Sequence, residues 1–448
     1  MRTAASAKKI TVETIGLDAV PKHLRTTGAL DYVRIKTAVA VNAGNFLVPA
    51  MAVLEGGLNF YAAVLSTVLG ACLAFLFVSL LALPGARYGL PAQFVIRSMI
   101  GTKGSMYIAS PIRTLTSLYW FGVQTIGGTY ILKEMLSRSF GLEVPFLWLS
   151  IPLALIMAYL ALVGFEALKN LSKFVLPLLF LSAIVMACLY LTGDYGGRSA
   201  KDIVNGSGNW SASVMILFGS LAFVQYVSGA GTSSDVSRYG RTPKHAFYGI
   251  FFGNSLGFLL TALLGAFTAT VAGDWNPFVV STRMTDSFFL IALIFTAAFM
   301  SMITINLNNA YTGGYSLLNS FPKLGRMKSA VIFGALGVIV SGFPIIADRA
   351  EQFISLLGTV IIPLTAVFIA DYLVVKKGRL SKEAINNLAA GVYSLNVPAA
   401  WAVGAGVIIY LLVPGGLSPS FITFFVTPLI YLAILQRKGW NKKVKKCA

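Results

Sequence analysis

Trp120 and Gln124 stand four residues apart in the run SLYWFGVQTIGGTY, so a helix would present an indole face and a carboxamide on one side. A flat aromatic surface beside a donor and an acceptor suits a planar nitrogen heterocycle, whose ring stacks while its polar edge pairs with the amide. The structural alternative is an indole packed on lipid or a neighbouring helix, with the amide bonded to nearby backbone. A second polar group, SMITINLNNAYTGG, places Ser301, Thr304, Asn306, Asn308 and Asn309 in one apolar run, with Ser301 and Thr304 sharing a face. Amides at one membrane depth are costly unless satisfied. They either tie helices together or face a cavity as solute contacts, and their clustering favours the cavity. No carboxylate pair, nucleophile with base or metal cluster accompanies them, which argues against an enzyme.

The elements that must position these residues are membrane helices. The chain is 56% hydrophobic and 11% charged, with a mean hydropathy of +0.77, too little polar surface to cover a soluble globule of 448 residues. Its apolar runs define about twelve spans, near 35–55, 60–83, 108–135, 145–164, 171–192, 212–233, 246–271, 287–311, 329–345, 351–374, 394–413 and 418–436. Of 35 lysines and arginines, only Lys133, Arg138, Arg198, Lys201, Arg283 and Arg349 fall in the odd connections. The others fall in the N-terminal tail, the even connections and the C-terminal tail. Cytoplasmic loops keep the Lys/Arg excess, so both termini are expected in the cytoplasm of a cell (plasma) membrane protein.

The net charge of +19 is dispersed over those connections and the tail Arg437, Lys438, Lys442, Lys443, Lys445 and Lys446. Membrane lipid headgroups are therefore the expected partner, with no nucleic acid and no obligate protein partner. Cys72, Cys188 and Cys447 give neither a disulfide framework nor metal-ligand spacing. His23 and His245 both lie in cytoplasmic segments, and no phosphate-cradling loop occurs, so ATP-driven pumping by this chain is excluded. Residues 1–33 hold charges throughout and no apolar core, so insertion is expected to begin with the first span. Glu55, Glu166, Asp235 and Asp371 sit near span ends, which points to an uncharged solute.

Two spans read as broken. The first holds Gly44, Asn45 and Pro49 within six residues, and the sixth holds Gly229, Gly231, Thr232, Ser233 and Ser234 ahead of Asp235. Irregular backbone at that depth survives only beside protein, water or solute. Five spans separate the two, the spacing of an inverted repeat of five helices plus five with a solute held between the first helix of each half. Glycine kinks or small-residue packing faces are the alternative.

The stretches GLPAQFVIRSMIGTKGS (89–105), YWFGVQTIGG (119–128), SSDVSRYGR (233–241), FFGNSLGF (251–258) and IADYL (369–373) together resemble the nucleobase:cation symporter family, closest to its cytosine permease branch and related to purine, hydantoin and allantoin transporters. The resemblance runs in order along about residues 30–440. It implies an all-α membrane fold of twelve helices: a five-plus-five inverted repeat with helices 1 and 6 broken, and two extra C-terminal helices. The chain then divides into a cytoplasmic segment 1–33, a single transporter domain 34–436 and a basic tail 437–448. Within the domain, repeat one covers about 34–192, repeat two about 212–374 and the extra helices about 394–436.

The resemblance makes Trp120 the stacking tryptophan and Gln124 the hydantoin-type glutamine. Tyr226, with Gln225 before it, takes the place of the second sandwiching aromatic, where relatives resemble Trp or Phe. It also implies a sodium site built from carbonyls around Ala40, Ala43 and Gly44 with Ser301, Thr304 and Ile305. Ile305 departs from that pattern because isoleucine brings no side-chain oxygen, and Ser301 is the available replacement. The expected function is import of a flat neutral nitrogen heterocycle, such as cytosine, another nucleobase or a hydantoin- or allantoin-like compound, by symport with sodium or a proton. No cofactor is expected. Trp120 and Tyr226 would hold the ring; Gln124, Gln225 and Asn306, Asn308 or Asn309 would pair with its edge, with Asn45 at the break. The rival is an amino-acid or other zwitterion symporter of the same fold, which would be expected to clamp a carboxylate and an amine rather than offer amides and aromatic faces.

Overall fold

The computed structural model describes residues 15–162, 164–195, 197–206 and 208–437; residues 1–14 and the basic tail beyond 437 lie outside the described residues. Every named element among these is helical, and pairing between extended segments is limited to two isolated bridges, Thr27 with Gly240 and Leu58 with Asn209. We label the helices that frame the site α1 (Ala29–Ala40), α2 (Ala43–Leu54), α3 (Phe60–Tyr88), α4 (Ala92–Ile100), α5 (Ser110–Phe140), α6 (Phe146–Ala161), α7 (Phe165–Thr192), α8 (Ala212–Val227), α9 (Ser233–Ser237), α10 (Pro243–Ala272), α11 (Phe288–Ser320), α12 (Gly325–Val340), α13 (Ala350–Ala370), α14 (Val397–Leu412) and α15 (Pro419–Arg437).

By length and composition seven helical stretches can cross a bilayer: α3, α7, 212–231, α10, α11, 352–375 and α15 within 419–436. The pair α1 and α2, bent by 61° at its break, makes an eighth, and α6 and α14 are shorter apolar helices. The outward face of the bundle carries Trp148, Phe174, Tyr159, Trp401 and Leu412, all more than two-thirds exposed. Such a surface is stable only against lipid. Inward positions are small or polar, as expected where helices associate by close packing rather than by expelling water.

The contact between α1 and α10 shows how this packing works. Gly249, Gly253 and Gly257 recur every fourth residue on α10, and a Cβ on them would lie 2.6 to 2.8 Å from atoms of Ala29, Tyr32, Val33 and Ala40. Only hydrogen fits there, so the two backbones approach closely. Thr37 Oγ1 donates to the Gly253 carbonyl at 3.1 Å and locks the register.

The first break lies at Val41 and Asn42, slightly ahead of the Gly44–Pro49 stretch that the sequence singled out. Gly44, Asn45 and Pro49 all belong to α2. The cause is Asn42. Its backbone is extended (φ −155, ψ 165) and its side chain caps α2, accepting from Asn45 N–H at 3.1 Å and donating to the Val39 carbonyl at 2.6 Å. A short amide that satisfies both new helix ends competes with continued helix. In the second interrupted segment, α8 ends at Val227, a 3-10 turn covers Ser228–Gly231, and α9 starts at Ser233.

Candidate functional site

A cavity of about 110 Å³ lies where these interruptions meet α5, α10 and α11, and its wall includes Asn45, Trp120, Gln124, Gln225, Tyr226, Asn308 and Asn309. Seven of the eight residues named from sequence as solute contacts thus come together. Its volume is below the roughly 300 Å³ at which drug-sized pockets begin, so it is scaled to a small ring.

The two aromatics reach it from opposite halves of the chain. Trp120 projects from α5, with its indole edge-on to Tyr119 at 5.0 Å between centroids. Tyr226, at the end of α8, is held by Phe75 and Phe258, each 4.8 Å away and inclined to it. That aromatic bracket fixes the phenol ring without covering its cavity-facing side. Its hydroxyl is buried and has no hydrogen-bond partner.

The amides divide into engaged and unengaged groups. Gln124 is engaged with the break at both ends, since Nε2 donates to Asn42 Oδ1 at 2.6 Å and Oε1 accepts from Gly44 N–H at 3.3 Å. Asn45 donates to the Ala40 carbonyl at 2.8 Å and accepts from Gln225 Nε2 at 3.1 Å. Gln225 Oε1 and Asn308 Oδ1, by contrast, are buried without partners. Buried polar atoms are nearly always satisfied, so these two orphans, on residues that line one cavity, leave hydrogen-bonding capacity there.

Asn306 is the exception. It lies off the cavity, completely buried, and donates to the Phe121 carbonyl at 3.1 Å and to Thr125 Oγ1 at 3.0 Å while accepting from Asn309 Nδ2 at 3.2 Å. It ties α11 to α5, the structural role that intramembrane amides often serve. One turn of α11 therefore splits its amides between packing and cavity.

Of the residues assigned to cation binding, Ala40, Ala43, Gly44 and Ser301 lie at or bond to the first break, whereas among the described residues Thr304 and Ile305 make no side-chain hydrogen bond to it. Ser301 Oγ donates to the Val41 carbonyl, and the Ala40 carbonyl accepts from Asn45 and from Thr261 Oγ1 at 3.0 Å. Ala43 packs where a Cβ on Gly127 would stand 2.9 Å away, and Gly44 meets Gln124. Thr304 Oγ1 donates to its own helix at Met300 O, 2.8 Å, and Ile305 lines the cavity. These are neutral oxygens of the kind that hard cations prefer.

Two expectations need correction. Asp235 and Asp371 lie near helix ends as expected but are fully buried. Lys36 and Arg113, counted from sequence with the cytoplasmic charges, lie inside α1 and α5 and line the cavity, so the cavity wall carries charged groups that the sequence reading did not place there. A charge within an apolar run is itself a functional signal, and it was available in both cases. Asn42 was also missed.

A larger cavity, about 840 Å³, opens at the C-terminal ends of α2 and α5. Charged groups on its wall engage one another: Arg283 pairs with Glu134 at 2.9 Å and Lys133 with Glu143 at 3.7 Å. It has the character of a hydrated vestibule.

Comparison with known proteins gives the family and the fold. A family model described as permease for cytosine/purines, uracil, thiamine, allantoin matches residues 19–435. A hydantoin permease of Microbacterium maritypicum is 24% identical over 92% of this chain and 85% of its own length. A purine-uracil permease of Arabidopsis thaliana is 23% identical over 93% of this chain and 76% of its own. Among solved structures, Mhp1, a nucleobase-cation-symport-1 family transporter in a closed conformation with bromovinylhydantoin bound, superposes with a TM-score of 0.79 at 16% identity, covering 98% of this chain and 100% of that one.

Proposed function

The chain belongs to the family of permeases for cytosine/purines, uracil, thiamine and allantoin, multi-pass membrane transporters and not enzymes, and from that membership we propose that it imports a flat nitrogen heterocycle by cation symport. The observation that carries this reading is the convergence on one small cavity of Trp120, Tyr226 and the unpartnered polar atoms of Gln225, Asn308 and Tyr226. Trp120 and Tyr226 hold the ring faces. Gln225, Asn308 and Asn309 pair with its edge, while Gln124 and Asn45 shape the break beside it.

The topology we adopt has twelve spans, both termini in the cytoplasm and a plasma membrane location. Repeat one covers about 34–192, repeat two about 212–374, and two further helices about 394–436. Interrupted helices from each half flank the cavity, an arrangement that suits alternating access by rocking of one bundle against the rest. The break at Val41–Asn42 and the turn at 228–231 support it. Sodium or a proton is the co-transported ion, and the carbonyls of Ala40, Ala43 and Gly44 with the hydroxyls of Ser301 and Thr304 are its candidate ligands. Ion binding there would order the first break and so favour the solute, and linkage requires the reverse effect of equal size.

The test is uptake of labelled nucleobases and hydantoins into proteoliposomes by the wild type and by Trp120→Ala. Saturable uptake should disappear in the variant while its elution and melting in detergent stay those of a folded protein. Normal uptake by Trp120→Ala, or competition by amino acids but by no heterocycle, overturns the reading.

A further inference from the structure

Lys36 and Arg113 bring two positive charges to a site otherwise built from neutral groups. Lys36 lies one turn before Ala40 on α1 and is 8% exposed; its Cβ packs where a Cβ on Gly253 would stand 2.9 Å away, and its side chain lines the cavity. Arg113 lies seven residues before Trp120 on α5, two turns along and on the same side, and lines the same cavity. Among the described residues the Lys36 ammonium has neither a hydrogen bond nor an ion pair, and Arg113 Nε is buried without a partner.

Among the described residues neither cation has a carboxylate within ion-pair distance. Asp235 is the acidic group whose field Arg113 feels, at a distance beyond an ion pair; its Oδ1 accepts from Ala92 N–H at 2.8 Å, its Oδ2 is buried without a hydrogen-bond partner, and its charge is shared with Arg238 and Arg326. Asp31, on the same helix as Lys36, faces Lys169 at 3.9 Å. The bland account of a lysine or arginine near a helix end is snorkelling to the membrane surface. These two turn inward instead, onto the wall that carries Trp120 and Tyr226. Two cations on the wall of one small cavity, without a carboxylate at ion-pair distance, disfavour each other, and an anion that enters relieves both at once.

We infer that the solute is an anion: a planar nitrogen heterocycle bearing a carboxylate, with its ring between Trp120 and Tyr226 and its carboxylate on Lys36 and Arg113. This deepens the heterocycle reading above and rests on it. Ammonium and guanidinium donors form the strong, charge-assisted hydrogen bonds that a carboxylate accepts, and the planar guanidinium can take both oxygens. A neutral base in the same position could accept hydrogen bonds from both groups but would leave their charges uncompensated, and so would bind less well.

Paired probes test this on the purified full-length protein, by quenching of tryptophan fluorescence and by shift of melting temperature: uracil against uracil-6-carboxylate, and hydantoin against hydantoin-5-acetate. Each carboxylated probe should bind at least about tenfold more tightly than its parent, the increment expected of one charge-assisted bond. Lys36→Gln and Arg113→Gln should each shrink that ratio towards one, and Lys36→Arg and Arg113→Lys should keep most of it. The conservative pair guards against loss of fold. Neutral parents binding as tightly as their carboxylated partners, or a ratio that survives both glutamine variants, overturns the anion while leaving the heterocycle reading intact. Failure of all four probes to bind removes both.

Discussion

Gln225 Nε2 donates to Asn45 Oδ1 at 3.1 Å across 180 residues of sequence, and this bond ties the start of α2 to the end of α8, the two places where helical backbone is interrupted. Asn45 passes the link on to the Ala40 carbonyl at 2.8 Å, so a change in one break is felt in the other. Gln225→Ala and Asn45→Ala should therefore be non-additive. A double-mutant cycle on uptake or on thermal stability should give a coupling of about 0.5–3 kcal/mol, the range for residues in one buried network. Simple additivity would show that the bond carries no communication between the halves.

Tyr226→Phe separates packing from recognition. The ring is held by Phe75 and Phe258, and the hydroxyl has no partner, so its removal should leave the melting temperature unchanged or raise it slightly, by an amount equivalent to about 1 kcal/mol. Affinity for the solute should fall about three- to tenfold if that hydroxyl meets the ring edge. Isothermal titration of the two proteins with one ligand reads both effects, and a variant equal to wild type in affinity would assign the tyrosine to stacking alone.

Much of this site was legible because its residue types are expensive in a membrane. Trp120, Gln124 and the asparagines of α11 stand out from their apolar runs, and the glycines before Asp235 announce the second interruption. What the sequence does not carry is direction. Asn306, Asn308 and Asn309 are within one turn of each other, and only the packing of α5 against α11 decides that Asn306 ties two helices while Asn308 faces the cavity. The first break was displaced for a related reason: Gly44 and Pro49 look like the breakers, yet the capping amide of Asn42 sets the boundary. Lys36 and Arg113 were misread because each lies near a span end, where a charge ordinarily reports topology rather than chemistry.

The IADYL stretch makes a different prediction. Asp371 and Lys376 form a fully buried ion pair, with Tyr431 Oη donating to Asp371 Oδ1 at 2.6 Å and Lys376 Nζ donating to the Ser98 carbonyl at 2.6 Å. Asn396 joins the cluster by donating to Tyr431 Oη at 2.9 Å and to the Met99 carbonyl at 2.7 Å. The pair thereby fastens α15 and the start of α14 to α4 and the end of α13. Asp371→Asn leaves the ammonium buried and unpaired, at a cost of about 3–5 kcal/mol. Thermal unfolding in detergent should show a marked loss in that variant and substantial recovery in Asp371→Asn with Lys376→Met, because removal of both charges is far less harmful than removal of one. Equal loss in both would mean that the carboxylate acts through Tyr431 alone.

Ser301 offers a test of the coupling ion. Its hydroxyl donates to the Val41 carbonyl at the first break, whereas the hydroxyl of Thr304 is turned back to Met300. Both are oxygens that a sodium ion could use, but only Ser301 already spans from α11 to the interrupted backbone, where Ala40 and Gly44 flank Val41. If the ion is held there, Ser301→Ala should raise the sodium concentration for half-maximal uptake by about tenfold or more, the effect of losing about 1.4 kcal/mol of binding. Uptake at saturating sodium should be retained, because the solute contacts lie on other residues. Thr304→Ala should act in the same direction if its hydroxyl rotates to the ion. Uptake measured in sodium against choline buffers, each at fixed proton gradient, reads the result. Sodium-independent uptake that collapses with the proton gradient would instead assign the coupling to a proton and return Ser301 to a purely structural bond across the break.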